Sequence, residues 1–408
     1  MADSPTVKKD FIAVLSFRVG STISYQMMMV AVGWHIFHLT HDVLSLGLLG
    51  LAELIPYFGC ALFAGHIVDI YSRKKIAAIA SVIHLAMGLF LMCIALGFFQ
   101  SPVMYIYGAV AGLGIGRAFL RPSYQSIFGQ VIPRNLTSKY SAYASSAFQA
   151  CVVSGPAIGG LLIASIGLPG TYLFAGLCAL YGLYGVYLLR VREPIRPSHQ
   201  LPFFESFLEG IRFIRHQPFM LSAMSLDMLA VLFGGAVSML PAFVSDVLHE
   251  GPQALGLLRA APAIGAILMG VYFAKYPIHR HSGKYLLGSI FGFGVSIIAF
   301  SLTRQLWVSC LFLFLSGCFD CISVLVRTTI FQLTSPNHLR GRISAINGIF
   351  IGSSNELGAL ESGVAANLMG LTPSIAFGGM VTLFVAMAFY QYAPRLRRLH
   401  IQDLVDDA

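Results

Sequence analysis

Charge is what this 408-residue chain has least of. Only 11% of its residues are Asp, Glu, Lys or Arg, against about 25% in soluble domains, and that scarcity excludes an ordinary water-facing surface. Tryptophan occurs twice and cysteine seven times, and every cysteine falls in an apolar run, where packing is its ordinary role. Cys318 and Cys321 form one C-x-x-C without a second pair or a nearby histidine, which is weak support for metal or redox chemistry. There is no convergent nucleophile and base, so nothing argues for an enzyme, and no residue pattern asks for a cofactor. Long polar segments are also missing. A membrane sensor or assembly factor would need a soluble domain or a long loop, and the chain offers neither.

What fills the sequence is apolar: 57% hydrophobic residues and a mean hydropathy of +0.77. In a bilayer only helices and closed barrels satisfy their own backbone groups, and long unbroken runs choose helices. Windows of about 19 residues place twelve spans near 11–37, 44–68, 76–98, 103–128, 141–165, 171–191, 219–247, 254–275, 284–303, 306–331, 343–370 and 373–393. The first continues without a small-residue cleavage site, as a spanning helix does and a signal peptide does not.

Lysine and arginine give the orientation. With the N-terminus inside, twenty of the 26 fall in cytoplasmic segments and only Arg304 in an external loop. Both termini are therefore expected in the cytoplasm. The net charge of +9 is topological, and nucleic acid is not needed to explain it. The expected organisation is a six-span unit over 1–193, a linker over 194–218 and a second six-span unit with a short tail over 219–408. Within the linker, Phe204, Phe207, Leu208 and Ile211 share a helical face, which predicts an interfacial amphipathic helix tying the halves together.

The halves are related. Shifted by 203 positions, Ile127-Phe128 falls on Ile330-Phe331, Pro133 on Pro336, Leu136 on Leu339 and Ser141-Ala142 on Ser344-Ala345. Shifted by 209, Leu46-Gly47-Leu48-Leu49 falls on Leu255-Gly256-Leu257-Leu258. Repeated six-helix units are a transporter signature.

Ionisable groups inside spans are costly and normally face a partner or water. The acids are Glu53, Asp227, Asp320, Glu356 and Glu361; the bases are Arg18, Arg117, Arg121, Arg259 and Arg327. The 203 shift sets Arg117 on Asp320, so a base and an acid occupy equivalent positions. Both are expected to face the aqueous cavity between the halves, with Asp320 the candidate protonation site; static ion pairs are the alternative. Arg327, seven residues beyond Asp320, lies on the same face but too far for an intrahelical pair. Asn347 and Gln26 add polar groups to the candidate cavity. His35, His38 and His41 cluster at the end of the first span, but no further ligand supports a metal, and none is expected.

Two patterns look like gates. Gly65-His66-Ile67-Val68-Asp69-Ile70-Tyr71-Ser72-Arg73-Lys74-Lys75 joins spans 2 and 3, and Gly155-Pro156-Ala157-Ile158-Gly159-Gly160 interrupts span 5. Pro156 removes a helical hydrogen bond and predicts a bend, while Gly155 and Gly159 form a small-xxx-small face. The first segment resembles the loop between helices 2 and 3 of the major facilitator superfamily, although Ser72 stands where many members carry glycine. The second resembles the glycine–proline motif common in exporters of that superfamily. Gly116-Arg117-Ala118-Phe119-Leu120-Arg121-Pro122, Gly256-Leu257-Leu258-Arg259-Ala260-Ala261-Pro262 and Leu339-Arg340-Gly341-Arg342-Ile343-Ser344 resemble its macrolide-efflux and enterobactin-exporter branch.

The resemblance implies two pseudo-symmetric six-helix bundles around a central cavity, in a bacterial inner membrane, working as a monomer. It implies that Asp69 helps to close the inward-facing mouth, with Arg73 and Lys75 beside it. It also implies a role for Arg117 in proton coupling. The expected function is proton-coupled export of an amphiphilic small molecule, a drug or a siderophore-like metabolite; import of such a compound is the alternative.

Overall fold

The computed structural model describes residues 5–133, 135–189, 203–276, 278, 280–336 and 339–402; within these, the side chains of 5, 6, 69, 203–207, 340–342, 344, 345 and 395 lie outside the description. Its described residues contain helices and no strand. In order these are α1 (Pro5–Thr40), α2 (Val43–Ile70), α3 (Arg73–Ala95), α4 (Pro102–Val131), α5 (Thr137–Leu188), α6 (Phe203–His216) and α7 (Pro218–Phe233). After them come a short α8 (Leu240–Ala242), α9 (Pro252–Lys275), α10 (Ser282–Ser301), α11 (Leu306–Thr334), α12 (Arg340–Met369), α13 (Leu371–Tyr392) and α14 (Pro394–Arg397).

Nine described segments are long and apolar enough to cross a bilayer. One of them, α5, is two helices joined at Gly167, and the more polar α1 and α12 have spanning length, which brings the spans to twelve. Spans 5 and 6 are two helices, as expected, meeting at Gly167 with almost no loop between them. Gly167 makes the break with φ 74° and ψ 178°, and its repeat equivalent Gly370 has φ 89° and ψ 159°. That region of backbone space is essentially glycine-only. Gly167→Ala is therefore expected to cost about 1–3 kcal/mol, read as a lowered Tm of the purified protein in detergent.

The seventh span departs from expectation. Instead of one helix over 219–247, α7 stops at Phe233, a 3₁₀ turn covers Ala236–Met239, and a π-helical turn covers Phe243–Leu248 after α8. Consecutive glycines at 234 and 235 and the missing donor of Pro241 account for the interruption. Gly234 is also crowded: a Cβ there would lie 2.7 Å from the Ala230 carbonyl.

Repeat register is visible in the backbone. The N–H of Ile132 donates to the Phe128 carbonyl at 3.0 Å, and that of Ser335 to Phe331 at 3.1 Å. Leu136 then bonds Pro133 at 2.9 Å, as Leu339 bonds Pro336 at 2.9 Å. Each pair differs by the 203 read from the sequence. The 209 shift likewise carries the first residues of α2 and α3, Val43 and Arg73, onto those of α9 and α10, Pro252 and Ser282.

Two compact units result: Met1–His41 with Leu51–Gln200 and Glu250–Ala260, and Asp42–Gly50 with Leu201–His249 and Ala261–Ala408. Glycines allow close helix approaches within each unit. In the second unit, a Cβ on Gly363 of α12 would lie 2.9 Å from the Gly47 Cα. In the first, a Cβ on Gly160 of α5 would lie 2.9 Å from the Gly256 Cα.

The first unit's core joins Phe11, Val14 and Phe17 of α1 to Ile127 and Phe128 of α4 and Tyr140 of α5. The second unit's core joins Met220 and Met224 of α7 to Leu286 of α10, Ile330 of α11 and Ile346 of α12. The expected amphipathic helix is α6, and Ile211 and Ile214 pack into this second core while Leu208 is exposed. The Phe204 and Phe207 side chains and the residues from 190 to 202 lie outside what is described.

Candidate functional site

Among the described residues, Glu53 pairs with Arg117 and Asp227 with Arg327, each pair inside its own unit. Glu53 on α2 and Arg117 on α4 pair through Oε1 and Nη1. Tyr25 on α1 completes the group: its hydroxyl donates to Glu53 Oε1 at 2.6 Å and accepts from Arg117 Nη1 at 2.8 Å. The guanidinium also sits 5.0 Å from the ring centroids of both Tyr25 and Tyr57, a cation–π arrangement. A third of the Arg117 side chain is exposed, but only 1% of Glu53. The arginine thus forms the accessible side of an otherwise closed acid.

Neighbouring backbone makes room for this cluster. Gly114 on α4 packs against the backbone and Cγ of Glu53, and Gly116 packs against the imidazole of His84 on α3. His84 is fully buried, with Nδ1 donating to the Ala80 carbonyl at 3.0 Å. Its ring lies 6.3 Å from that of Tyr25. His84 Nε2 and Glu53 Oε2 are both buried without a described hydrogen-bond partner. Buried polar atoms without partners are uncommon in folded proteins and often mark working sites.

In the second unit Arg327 on α11 pairs with Asp227 on α7, and both side chains are almost fully buried. Arg327 lies seven residues past Asp320, about 10 Å along the helix. Asp320 itself is half-buried, with no described hydrogen bond or ion pair. The repeat-equivalent positions 117 and 320 are therefore differently engaged: Arg117 is held by Glu53 and Tyr25, whereas no such neighbour is seen for Asp320. Arg18, another intramembrane base, stacks on Tyr124 and Phe148 at 4.2 and 4.7 Å.

Among the other expected cavity residues, Gln26 packs on Gly155, where an added Cβ would lie 2.7 Å from the glutamine Cβ. Glu356 on α12 approaches the Gly50 backbone, and Glu361 and Asn347 are half-buried on the same helix. His35 Nδ1 lies 3.2 Å from the Tyr172 hydroxyl. No group of three or more His, Cys, Asp or Glu is arranged to hold a metal among the described residues.

The segment from Gly65 is less of a loop than its composition suggests. Helix α2 continues through Asp69 to Ile70, and only Tyr71 and Ser72 separate it from α3. Ser72 caps α3 by accepting the Lys75 N–H at 3.3 Å, so a hydroxyl does at this position what an N-cap requires. Arg73 opens α3, Lys75 is exposed, and Gly65 meets no neighbour within 4 Å of an added Cβ. The Asp69 side chain lies outside the described residues. In α5, helical dihedrals continue through Pro156, and the non-helical residue is Gly167. Gly159 lies against Met27, where an added Cβ would be 3.4 Å from the Met27 Cα.

Sequence reasoning identified Glu53 as an intramembrane acid but missed its partnership with Tyr25 and the presence of His84. The available signal was Gly114-Ile115-Gly116-Arg117, small residues placed immediately before an intramembrane arginine.

The family pattern described as "Transmembrane secretion effector" matches residues 3–407. Similar proteins include the multidrug efflux pump Tap of Mycolicibacterium fortuitum, 24% identical, with 91% of this chain and 92% of that protein aligned. The enterobactin exporter EntS of Escherichia coli O1:K1 / APEC is 26% identical over 95% of this chain and 92% of its own length. Among solved structures, a bacterial homologue of the human lysosomal transporter Spinster, inward-facing and unoccupied, superposes with a TM-score of 0.73 at 18% identity, covering 98% of this chain and 99% of that one. The chain belongs to the transmembrane secretion effector family, and it is a multi-pass membrane transporter of the major facilitator superfamily, not an enzyme.

Proposed function

We propose that this transporter exports an amphiphilic small molecule across a bacterial inner membrane, by alternating access and at the expense of a proton gradient. The observation that carries export is the family match over nearly the whole chain, together with full-length relatives named for drug, macrolide and enterobactin efflux. Drug or siderophore-like cargo is the substrate class those names support. Broken span 7 and the buried ion pairs suit a transport pathway, because interrupted helices and intramembrane charges concentrate where substrates and ions pass.

Proton coupling needs an acid that changes protonation and alternates its access. Asp320 has the freedom, being half-buried without a described charged partner; Glu53 has the machinery, through Arg117 and Tyr25. In the proposed cycle Asp320 carries the proton, and Arg117 conveys the state of Glu53 to the accessible side of its cluster. Asp69 and Arg73 stabilise the closed cytoplasmic mouth, and Gly155, Pro156 and Gly159 let α5 move against α1.

Everted vesicles or proteoliposomes with an imposed pH gradient test the reading. Export predicts accumulation of an amphiphilic drug or siderophore in everted vesicles and its collapse on adding a protonophore. Accumulation in right-side-out vesicles would instead establish import. For coupling, Asp320→Asn is expected to flatten the dependence of transport on the pH gradient while exchange of preloaded substrate persists. Equal gradient titrations for wild type and variant would remove Asp320 from the proton path, and Glu356 or Glu361 would then be titrated in the same way.

A further inference from the structure

We propose that the groove between the start of α3 and the end of α5 is a binding site for one anionic phospholipid. The groove is a cavity of about 610 Å³, wholly within the first unit. Ser72 and Lys75 lie at one end, Ala78, Leu180 and Leu183 form its walls, and Tyr184 and Tyr187 stand at its rim. No acidic side chain lines it among the described residues.

Its two lysines have different jobs. Lys74 turns inward and closes the end of α5, its ammonium donating to the carbonyls of Tyr187 at 2.8 Å and Leu189 at 2.6 Å. These carbonyls have no intrahelical donor, and a cation there is favourable. Lys75 is exposed, and its ammonium has no described hydrogen bond or ion pair. The fixed cation serves the fold, and its neighbour remains available to an anion.

What lies beyond Lys75 selects the kind of anion. Leu177, Leu180, Tyr181, Tyr184, Tyr187 and Leu188 are all exposed, at the three- and four-residue spacing of one helix face. In a membrane transporter such a stripe is lipid-facing. It ends in tyrosines, which favour the headgroup level, and then in Lys75. A free phosphate would use only the cation and leave the apolar walls empty. A phospholipid uses both: acyl chains along Leu180 and Leu183, and phosphate at Lys75 and the Ser72 hydroxyl. The Lys/Arg asymmetry assigns this end to the cytoplasm, where basic pockets between helices recruit anionic headgroups.

The test uses the full chain in mild detergent with equimolar phosphatidylglycerol and phosphatidylcholine of identical acyl chains, and bound lipids are counted by native mass spectrometry. Wild type is expected to retain one phosphatidylglycerol in preference to phosphatidylcholine. Lys75→Gln should weaken that retention about fivefold, the share of one juxtamembrane cation, without changing phosphatidylcholine, and Lys75→Arg should restore it. Millimolar glycerol phosphate should leave the lipid in place. Equal retention by wild type and Lys75→Gln, no preference between the lipids, or displacement by glycerol phosphate would each overturn the site.

Discussion

Arg117→Ala should reduce transport at least tenfold and destabilise the first unit by roughly 3–5 kcal/mol, the usual consequence of removing one partner from a buried ion pair. The reason is Glu53. Its side chain is 1% exposed, one oxygen is held by Arg117 and Tyr25, and the other has no described partner. Without the guanidinium the carboxylate keeps a single tyrosine hydroxyl. Removing both charges separates folding from function: Arg117→Ala with Glu53→Gln should recover most of the Tm, since a neutral amide tolerates burial better than an unpaired carboxylate. Transport should stay low in that double variant if the pair takes part in the cycle. A double variant that transports normally would reduce the pair to a structural strut. The comparison requires Tm in detergent and transport in vesicles on the same preparations.

Arginine at 117 was legible as important from sequence, but its partner was not. The 203-residue repeat set Arg117 on Asp320, and that is a statement about equivalent positions, not about contact. Contact depends on how α2 lies against α4, which no helical periodicity encodes. In the structure the equivalence of the two positions survives, since the ends of α4 and α11, Val131 and Thr334, follow the 203 shift, while the pairing falls to Glu53. Arg327 illustrates the same limit. An intrahelical pair with Asp320 was excluded by spacing, yet its interhelical partner, Asp227, emerged only once α7 and α11 were packed.

The break in span 7 had a visible cause, Gly234 and Gly235 followed by Pro241, but hydropathy windows average over such residues and return one unbroken span. The join between spans 5 and 6 is shorter than the gap left between their hydropathy windows. Gly167, Pro169 and Gly170 read as a loop, whereas one residue with positive φ, followed by a proline whose missing N–H is tolerated near a helix start, joins the helices directly. Local signals thus located both irregularities without giving their geometry.

Gly363→Val and Gly160→Val should each abolish most transport, and each should mark its own segment. The four glycines come in repeat-related pairs: Gly160 and Gly363 differ by 203, Gly47 and Gly256 by 209. In one unit a Cβ on Gly363 would lie 2.9 Å from the Gly47 Cα and 3.1 Å from its nitrogen; in the other, a Cβ on Gly256 would lie 2.9 Å from the Pro156 carbonyl. These neighbours are backbone, so no side-chain rotamer relieves the clash, and overpacking of this kind costs about 1–3 kcal/mol. Applied to one state of a two-state transporter, a penalty of that size shifts the population roughly 5- to 150-fold. In the proposed cycle the close-packed state must form once per turnover, so a variant that disfavours it should bind substrate and fail to move it. Hydrogen exchange gives the discriminating readout. Gly363→Val should expose the amides of Val43–Gly50 and leave Pro252–Ala260 protected; Gly160→Val should do the reverse. Wild-type transport in both variants would show that the glycine contacts pack the fold without serving alternating access. Loss of protection throughout the chain would point to general destabilisation, and Gly→Ala at the same positions would then show whether a smaller step restores the local pattern.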